Sequence, residues 1–200
     1  MSETEQKEWT LRWSEDTYDA DAKPSTLVSA WATRVPHGRA VDVACGDGRN
    51  ALYLAELGFL VDALDIAPTA LNLVIRAATE RGLRINTIAS DLDDYILPSN
   101  VYDLITIRFY TNRDMLTMVK NALKPNGFLI YEQHYVTDMK VSGPKSGEFR
   151  LLSNEMLELF SDFRIHYFSE GVEEEGGALR SLQRLVAQKM PGKYEPHLSL

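Results

Sequence analysis

The chain has 200 residues, a formal net charge of −8 and a sequence pI near 5.0, with 44% hydrophobic and 25% charged residues. This is the balance of a soluble globular protein of about one domain, and the acidic surplus argues against broad binding to nucleic-acid backbones. No apolar run reaches the roughly 18 residues of a membrane span, no secretory signal is visible in MSETEQKEWT, and the single cysteine excludes an internal disulfide and a multi-cysteine zinc site. We therefore expect a cytoplasmic protein with no nucleic-acid or membrane partner and no metal, whose oligomeric state the sequence leaves open.

The first 37 residues are predicted to form a helical cover rather than a separate domain. They carry Trp9, Trp13, Tyr18 and Trp31, and the Pro24-Ser25 pair is a plausible helix start. Aromatic side chains in a short polar segment favour a packing edge over a ligand cage. Residues 38–190 are predicted as the main domain, and residues 191–200 as a C-terminal tail.

From residue 39 onward, apolar runs typical of strands alternate with helical patterns. The predicted strands cover residues 39–44, 59–64, 83–89, 102–107, 128–131 with some residues beyond, 163–168 and 179–188. The predicted helices cover residues 50–57, 68–81, 114–123 and 154–160. This alternation predicts an α/β fold: a doubly wound, Rossmann-like, mostly parallel sheet of seven strands with helices on both faces.

The last two predicted strands have no helix between them, so we expect the last strand to be antiparallel. The Gly176-Gly177 pair supports a chain reversal there. We interpret the preceding acidic run, residues 173–175, as a solvated turn.

A glycine loop follows the first predicted strand. Gly46 and Gly48 allow a tight turn and the close approach of a ligand, and the next helix begins with free N–H groups that suit an anionic group. The spacing from Gly46 to Ala51 also fits the dinucleotide fingerprint G-x-G-x-x-A, which by itself is a weak signal. The competing interpretation is a glycine turn without a ligand.

Acidic residues follow the second and third predicted strands. In open α/β sheets, ligands bind beyond the carboxyl ends of the strands, so Asp65 is placed to accept hydrogen bonds from ribose hydroxyls. The competing interpretation is an acidic residue at the helix start just before Pro68, where it would favour the helix dipole. Asp91 could frame an adenine, or with Asp93 and Asp94 it could belong to a solvated loop.

A resemblance to a known family rests on residues 41–65, which read VDVACGDGRNALYLAELGFLVDALD. This segment resembles the cofactor motif of class I S-adenosylmethionine-dependent methyltransferases, and within them the tellurite-resistance-type and thiopurine-methyltransferase-like group acting on small molecules. The matching positions are Asp42, Gly46, Gly48, Asp65 and Asp91, and the LKPNG turn of residues 123–127 also fits. Two departures are mild: Ala44 and Asn126 stand where the family often has glycine.

The resemblance implies S-adenosylmethionine as the cofactor and assigns roles to the matching residues. Asp42 would orient the methionine amino group, the Ala44 and Gly46 backbone would approach the methionine portion, and Asp65 would bind the ribose. The adenine would be framed by Asp91 and Leu92. The remaining predicted cofactor-binding residues are Gly48, Asn50, Ile66 and, from the N-terminal cover, Tyr18 with Trp13 beside it.

The acceptor end is predicted at Arg108, Tyr110 and His134, which follow the fourth and fifth predicted strands. An arginine beside aromatic residues suits an anionic acceptor, although Arg108 could instead be an ion-pair partner of Asp103 or Asp114. His134 could be a general base or a hydrogen-bonded edge residue. Cys45 is interpreted as a small buried residue rather than a nucleophile.

These patterns predict an S-adenosylmethionine-dependent methyltransferase for a small molecule, with an anionic, chalcogen or thiol acceptor as candidates. The motif [DN]-P-P-[YF], which such enzymes use on amino groups of bases, is absent after the fourth strand. Two alternatives stay open: an NAD-dependent oxidoreductase that uses the same glycine loop, and a cofactor-binding protein without catalytic activity.

Overall fold

The computed structural model describes residues 3–14, 23–175 and 177–192, which form seven strands and six α-helices. The strands are β1 (Arg39–Val43), β2 (Leu60–Asp65), β3 (Ile85–Ala89), β4 (Tyr102–Arg108), β5 (Leu123–His134), β6 (Arg164–Glu175) and β7 (Ala178–Gln188). The helices are α1 (Glu3–Ser14), α2 (Thr26–Trp31), α3 (Arg49–Glu56), α4 (Pro68–Glu80), α5 (Arg113–Ala122) and α6 (Glu155–Leu159). Tyr18 and residues 193–200 of the predicted tail lie outside the described residues.

All seven strands lie in one sheet in the order β3-β2-β1-β4-β5-β7-β6. Neighbours among β1 to β5 are parallel, whereas β7 runs antiparallel to both β5 and β6. The predicted fold class is confirmed, including the antiparallel last strand.

Helices cover both faces of the sheet because buried strands alternate their side chains between two cores. One core holds Val41, Ile105 and Tyr131 with residues of α5 and α6. The other holds Ala40 and Leu104 with residues of α2, α3 and α4. No helix among the described residues is long and apolar enough to span a bilayer.

The order of the strands reverses at β1, because the chain passes to β2 and β3 on one side and to β4 and β5 on the other. Such a reversal opens a crevice at the carboxyl ends of the two central strands. Asp42 of β1 lies in register with Thr106 of β4 at this point. The crevice is therefore flanked by the glycine loop after β1 and by the chain that follows β4.

The prediction of a solvated acidic turn at residues 173–175 is wrong. These residues belong to β6, and Glu173 and Glu175 form ion pairs with Arg184 and Arg108. Arginines from other strands neutralise these glutamates, so the acidic residues can extend β6. The local sequence does not show that such partners exist. A smaller difference concerns the LKPNG turn, which lies within the span of β5, with Asn126 at φ 68°.

Candidate functional site

The glycine loop turns the chain sharply between β1 and α3. Ala44, Gly46 and Gly48 have φ values of 54°, 54° and 79°, so three of its positions are left-handed. A Cβ atom at Gly48 would lie 2.5 Å from Val74 Cγ2 of α4, which explains the need for glycine where loop and helix pack. Cys45 is buried in this loop, as predicted.

Ala44 is the strained residue of the loop, because an L side chain in the left-handed region costs about 1–2 kcal/mol. We expect Ala44→Gly to raise the free energy of unfolding by about 1 kcal/mol, measured by urea denaturation. Asn126→Gly is the matched control: it has φ 68°, but asparagine tolerates this region, so the gain should be smaller. An Ala44→Gly variant that gains no more than Asn126→Gly would contradict the assignment of strain to Ala44.

Asp65 joins the glycine loop to the start of α4. Its Oδ2 accepts a hydrogen bond from the Gly46 N–H (2.8 Å), and its Oδ1 accepts one from the Ala67 N–H (2.9 Å). The side chain is buried. Burial raises the pKa of Asp65, and the two backbone hydrogen bonds partly oppose this rise. Asp65 thus fixes the loop as well as the helix start.

Asp42 carries a buried carboxylate oxygen that makes no hydrogen bond of normal geometry within the described part of the chain, although the Ala51 backbone N–H is close enough to oppose the rise of its pKa. Its Oδ1 accepts a hydrogen bond from Thr106 Oγ1 (2.6 Å), whereas the oxygen without such a bond is Oδ2. The side chain is 2% exposed, and burial raises its pKa to about 7. A buried unsatisfied oxygen at the crevice suits a ligand that donates a hydrogen bond there.

The crevice beside the loop is acidic. Asp42, Asp47 and Asp65 are all buried around it, and Arg49 pairs with Asp47 at 2.5 Å. This arrangement favours a ligand with positive charge, such as an ammonium or a sulfonium group. No group of three or more histidine, cysteine, aspartate or glutamate side chains in the described part of the chain could hold a metal ion.

The other predicted cofactor residues occupy varied positions around the loop. Asn50 is buried and accepts a hydrogen bond from the Ser25 N–H (2.9 Å), which ties α3 to the start of α2. Asp91 Oδ1 accepts from the Asp93 N–H (2.9 Å), so this carboxylate orders the turn after β3. Leu92 and Ile66 are buried.

Trp13 lies directly against the glycine loop. A Cβ atom at Gly46 would lie 2.7 Å from Trp13 Cζ2, and Thr69 Oγ1 of α4 donates a hydrogen bond to the Thr10 carbonyl of α1 (3.0 Å). The helix α1 therefore packs beside the crevice.

Arg108 belongs to a buried ion-pair network. It binds Glu132 and, at 2.7 Å, Glu175, while the second oxygen of Glu132 binds Arg184 at 2.5 Å. Glu132 is 2% exposed. The predicted partners are not used: Asp103 binds Lys124 (2.8 Å), and no ion pair joins Arg108 to Asp114 within the described ranges.

Phe109 and His134 form a stacked pair at the carboxyl ends of β4 and β5. Their ring centroids lie 4.6 Å apart, and the Arg108 Cζ lies 4.0 Å from the Phe109 centroid. Phe109 has φ 58°, a strained value for an aromatic residue and the kind of outlier that clusters at functional sites. Sequence patterns gave no signal for this conformation.

His134 is buried, and its Nδ1 has no hydrogen-bond partner among the residues that the structure describes. Burial, together with the charges of Arg150, Arg180 and Arg108, lowers its pKa to about 4. The ring is therefore neutral near pH 7. Arg180, which comes from β7, was not predicted, because its place beside this ring depends on the sheet and not on local sequence.

The Tyr110 hydroxyl binds the loop that follows β3. It donates a hydrogen bond to Asp93 Oδ1 (3.0 Å), which also accepts one from Asn112 Nδ2 (2.6 Å). Burial, with the nearby Asp93 charge, raises the pKa of Tyr110. These hydrogen bonds join the loop after β3 to the loop after β4. Tyr110 and His134 therefore have different hydrogen-bond partners.

Comparisons with known proteins agree with this geometry. Residues 40–127 match a family described as a methyltransferase domain. The chain is 27% identical over 143 residues to TehB, a probable S-adenosyl-L-methionine-dependent methyltransferase of Haemophilus influenzae. The aligned region covers 68% of this chain and 49% of TehB. It is 51% identical over 47 residues to a 2-heptyl-1-hydroxyquinolin-4(1H)-one methyltransferase of Mycobacteroides abscessus, covering 24% of this chain and 21% of that protein.

Among solved structures, that of TehB from Haemophilus influenzae superimposes with a TM-score of 0.72 at 21% identity, covering 92% of this chain and 66% of that chain. The chain spans about half the length of the curated TehB relative, and its 47-residue match to the quinolone methyltransferase covers about a fifth of that protein. Residues 40–127 are thus similar to a methyltransferase domain, the chain resembles the S-adenosyl-L-methionine-dependent methyltransferase TehB in sequence, and its fold is that of the TehB structure.

Proposed function

We propose that this protein transfers a methyl group from S-adenosylmethionine to a small molecule. The observation that carries the proposal is the buried Asp42 Oδ2, which makes no hydrogen bond of normal geometry with the described residues and lies beside a glycine loop that admits no side chain at Gly48. The cofactor has a positive sulfonium and an ammonium group, which suit this acidic crevice. When bound, the cofactor supplies an already activated methyl group.

The residues of the crevice have distinct proposed roles toward the cofactor. Asp42 would accept a hydrogen bond from the methionine amino group, and Asp65 would bind the ribose while it holds the Gly46 backbone. Asp91 and Leu92 would frame the adenine. Trp13 against Gly46 supports the proposal that residues 1–37 act as a cover over this site.

The charge at the acceptor end favours an anionic acceptor, such as a thiolate or a chalcogen oxyanion. Arg108 and Arg184 are balanced by glutamates, and Arg180 lies 3.7 Å from Glu175. Arg150, in contrast, has no described carboxylate within ion-pair distance, and burial lowers its pKa. Among the described residues, one positive charge near His134 thus has no paired carboxylate, and an anionic acceptor would offset it.

His134 is the best placed of the three predicted acceptor-end residues to contact the acceptor. A neutral imidazole with a free nitrogen can accept a proton from an acceptor that must lose one. Arg108 and Tyr110 already bind carboxylates, so we propose that they shape the site. Methyl transfer otherwise needs mainly orientation, which supplies roughly 7–11 kcal/mol of the barrier.

Cofactor binding tests the proposal most directly. At 100 times its Kd, S-adenosylhomocysteine should stabilise the fold by about 2.7 kcal/mol, which raises the Tm by about 5–11 °C for a chain of this size. NAD at the same concentration is the control and should give no comparable shift. A shift with NAD alone would favour the oxidoreductase and overturn the proposal.

Methyl transfer itself is measured with labelled S-adenosylmethionine and a panel of thiols, chalcogen oxyanions and 1-hydroxyquinolinones. The last class is included because a relative is named for such a substrate. Cofactor binding without transfer to any acceptor would support a silent cofactor-binding protein instead. We propose a cytoplasmic location, for which a fluorescent fusion is the test.

A further inference from the structure

The segment between β5 and α6 folds back over His134. We name residues 136–150 the cover segment. Its two ends are held together by hydrogen bonds from the Val136 N–H to the Leu151 carbonyl (2.8 Å) and from the Leu151 N–H to the His134 carbonyl (2.9 Å). The middle is attached to β7 through the Ser142 N–H, which donates to the Leu179 carbonyl (2.7 Å).

Arg150 joins the cover segment to β7 and to Tyr135, the residue that follows β5. Its Nε donates to the Pro144 carbonyl (2.9 Å), and its Nη1 donates to the Tyr135 carbonyl (3.0 Å) and to Ser181 Oγ (2.8 Å). These acceptors are neutral, so the guanidinium is used here as a rigid fork of donors and not as half of an ion pair.

Gly143 brings the backbone of the cover segment onto the His134 ring. Its φ is 126°, and a Cβ atom there would lie 2.8 Å from His134 Cε1 and 2.9 Å from Nδ1. Phe109 stacks on the face of the same ring. Between them, the segment and Phe109 close His134 off from water.

We propose that Arg150 is a positioning residue that latches the cover segment over His134, so that water is excluded from this ring during transfer and the acceptor enters when the latch opens. The role in transfer rests on the proposed function, whereas the latch itself rests on the contacts above. The alternative is that Arg150 acts on His134 only through its charge.

Chemical labelling of His134 with diethyl pyrocarbonate, located by peptide mass spectrometry, tests the latch. We expect Arg150→Met to accelerate labelling of His134 at least about ten-fold, because the segment opens. The exposed His37 and His166 are internal controls whose rates should not change. Loss of the Arg150 charge changes the neutral fraction of His134 little at pH 7, because the ring has a pKa of about 4 and is already neutral. Arg150→Lys keeps the charge, so faster labelling in this variant too reports exposure of the ring.

Gly143→Ala serves as the reference for an open segment, because its Cβ cannot fit against the ring. Labelling that is fast in Gly143→Ala but unchanged in Arg150→Met overturns the latch, and so does unchanged labelling in both. If altered rates at His37 and His166 show that Arg150→Met is misfolded, Arg150→Lys is judged by the same criterion, since it keeps the charge but loses the fork.

Two further measurements separate this inference from the proposed function. The calorimetric affinity for S-adenosylhomocysteine should stay within about two-fold in Arg150→Met, while turnover of the best acceptor falls at least about ten-fold. A wild-type chain that binds no S-adenosylhomocysteine overturns the proposed function, whatever labelling shows. Unchanged turnover in a variant with fast labelling overturns the role of the latch in transfer.

Discussion

Replacing Glu132 with glutamine is expected to lower the free energy of unfolding by about 1.5–3 kcal/mol, the range for lost hydrogen bonds to charged groups, because Arg108 and Arg184 each keep a second carboxylate. Glu132 is 2% exposed, and its two oxygens bind Arg108 and Arg184. The glutamine side chain keeps the volume but removes the charge, so two guanidinium groups lose their shared counterion. Urea denaturation of the purified variant measures the loss.

Glu174→Gln is the matched control. Glu174 lies on β6 between Glu173 and Glu175, which belong to the ion-pair network, but its own side chain is exposed. Its effect should stay within about 0.5 kcal/mol. Equal effects at the two positions would contradict the assignment of Arg108 to a structural network. Its guanidinium would then be free to bind the acceptor directly.

Replacing Asp65 with alanine should weaken the binding of S-adenosylhomocysteine by about 2–3 kcal/mol, that is, roughly 30- to 150-fold. The variant loses the carboxylate proposed to bind the ribose and the two hydrogen bonds that hold the Gly46 and Ala67 backbone. Isothermal titration calorimetry on the folded variant gives the affinity. Circular dichroism confirms that the fold is kept.

Asp114→Ala provides the comparison for this measurement, since Asp114 is an exposed acidic residue in the first turn of α5. It should lower stability slightly through the helix dipole and leave the cofactor affinity unchanged. If Asp65→Ala behaves in the same way, Asp65 is only a helix-start residue.

Elements that depend on local sequence were predicted close to their observed bounds. The helix predicted at residues 68–81 is α4 (Pro68–Glu80), and the strand predicted at residues 102–107 is β4 (Tyr102–Arg108). The pattern of buried side chains and the proline at the helix start are enough to define such elements. The sixth strand was predicted too short, because its acidic end is stabilised by arginines on other strands.

The sequence by itself determined the fold class, the glycine loop and the placement of Asp65 beside it, because these features depend on periodicity and on residues that directly end a strand. Asp42 was identified only through the resemblance to the methyltransferase motif. Only the tertiary structure decided the acceptor end. Arg108 finds its partners 24 and 67 residues further along the chain, in Glu132 and Glu175. The His134 ring is covered by Phe109 and Gly143, which are distant in sequence. The pairing of the strands brings these residues together, and no local sequence pattern predicts which side chains meet across the sheet.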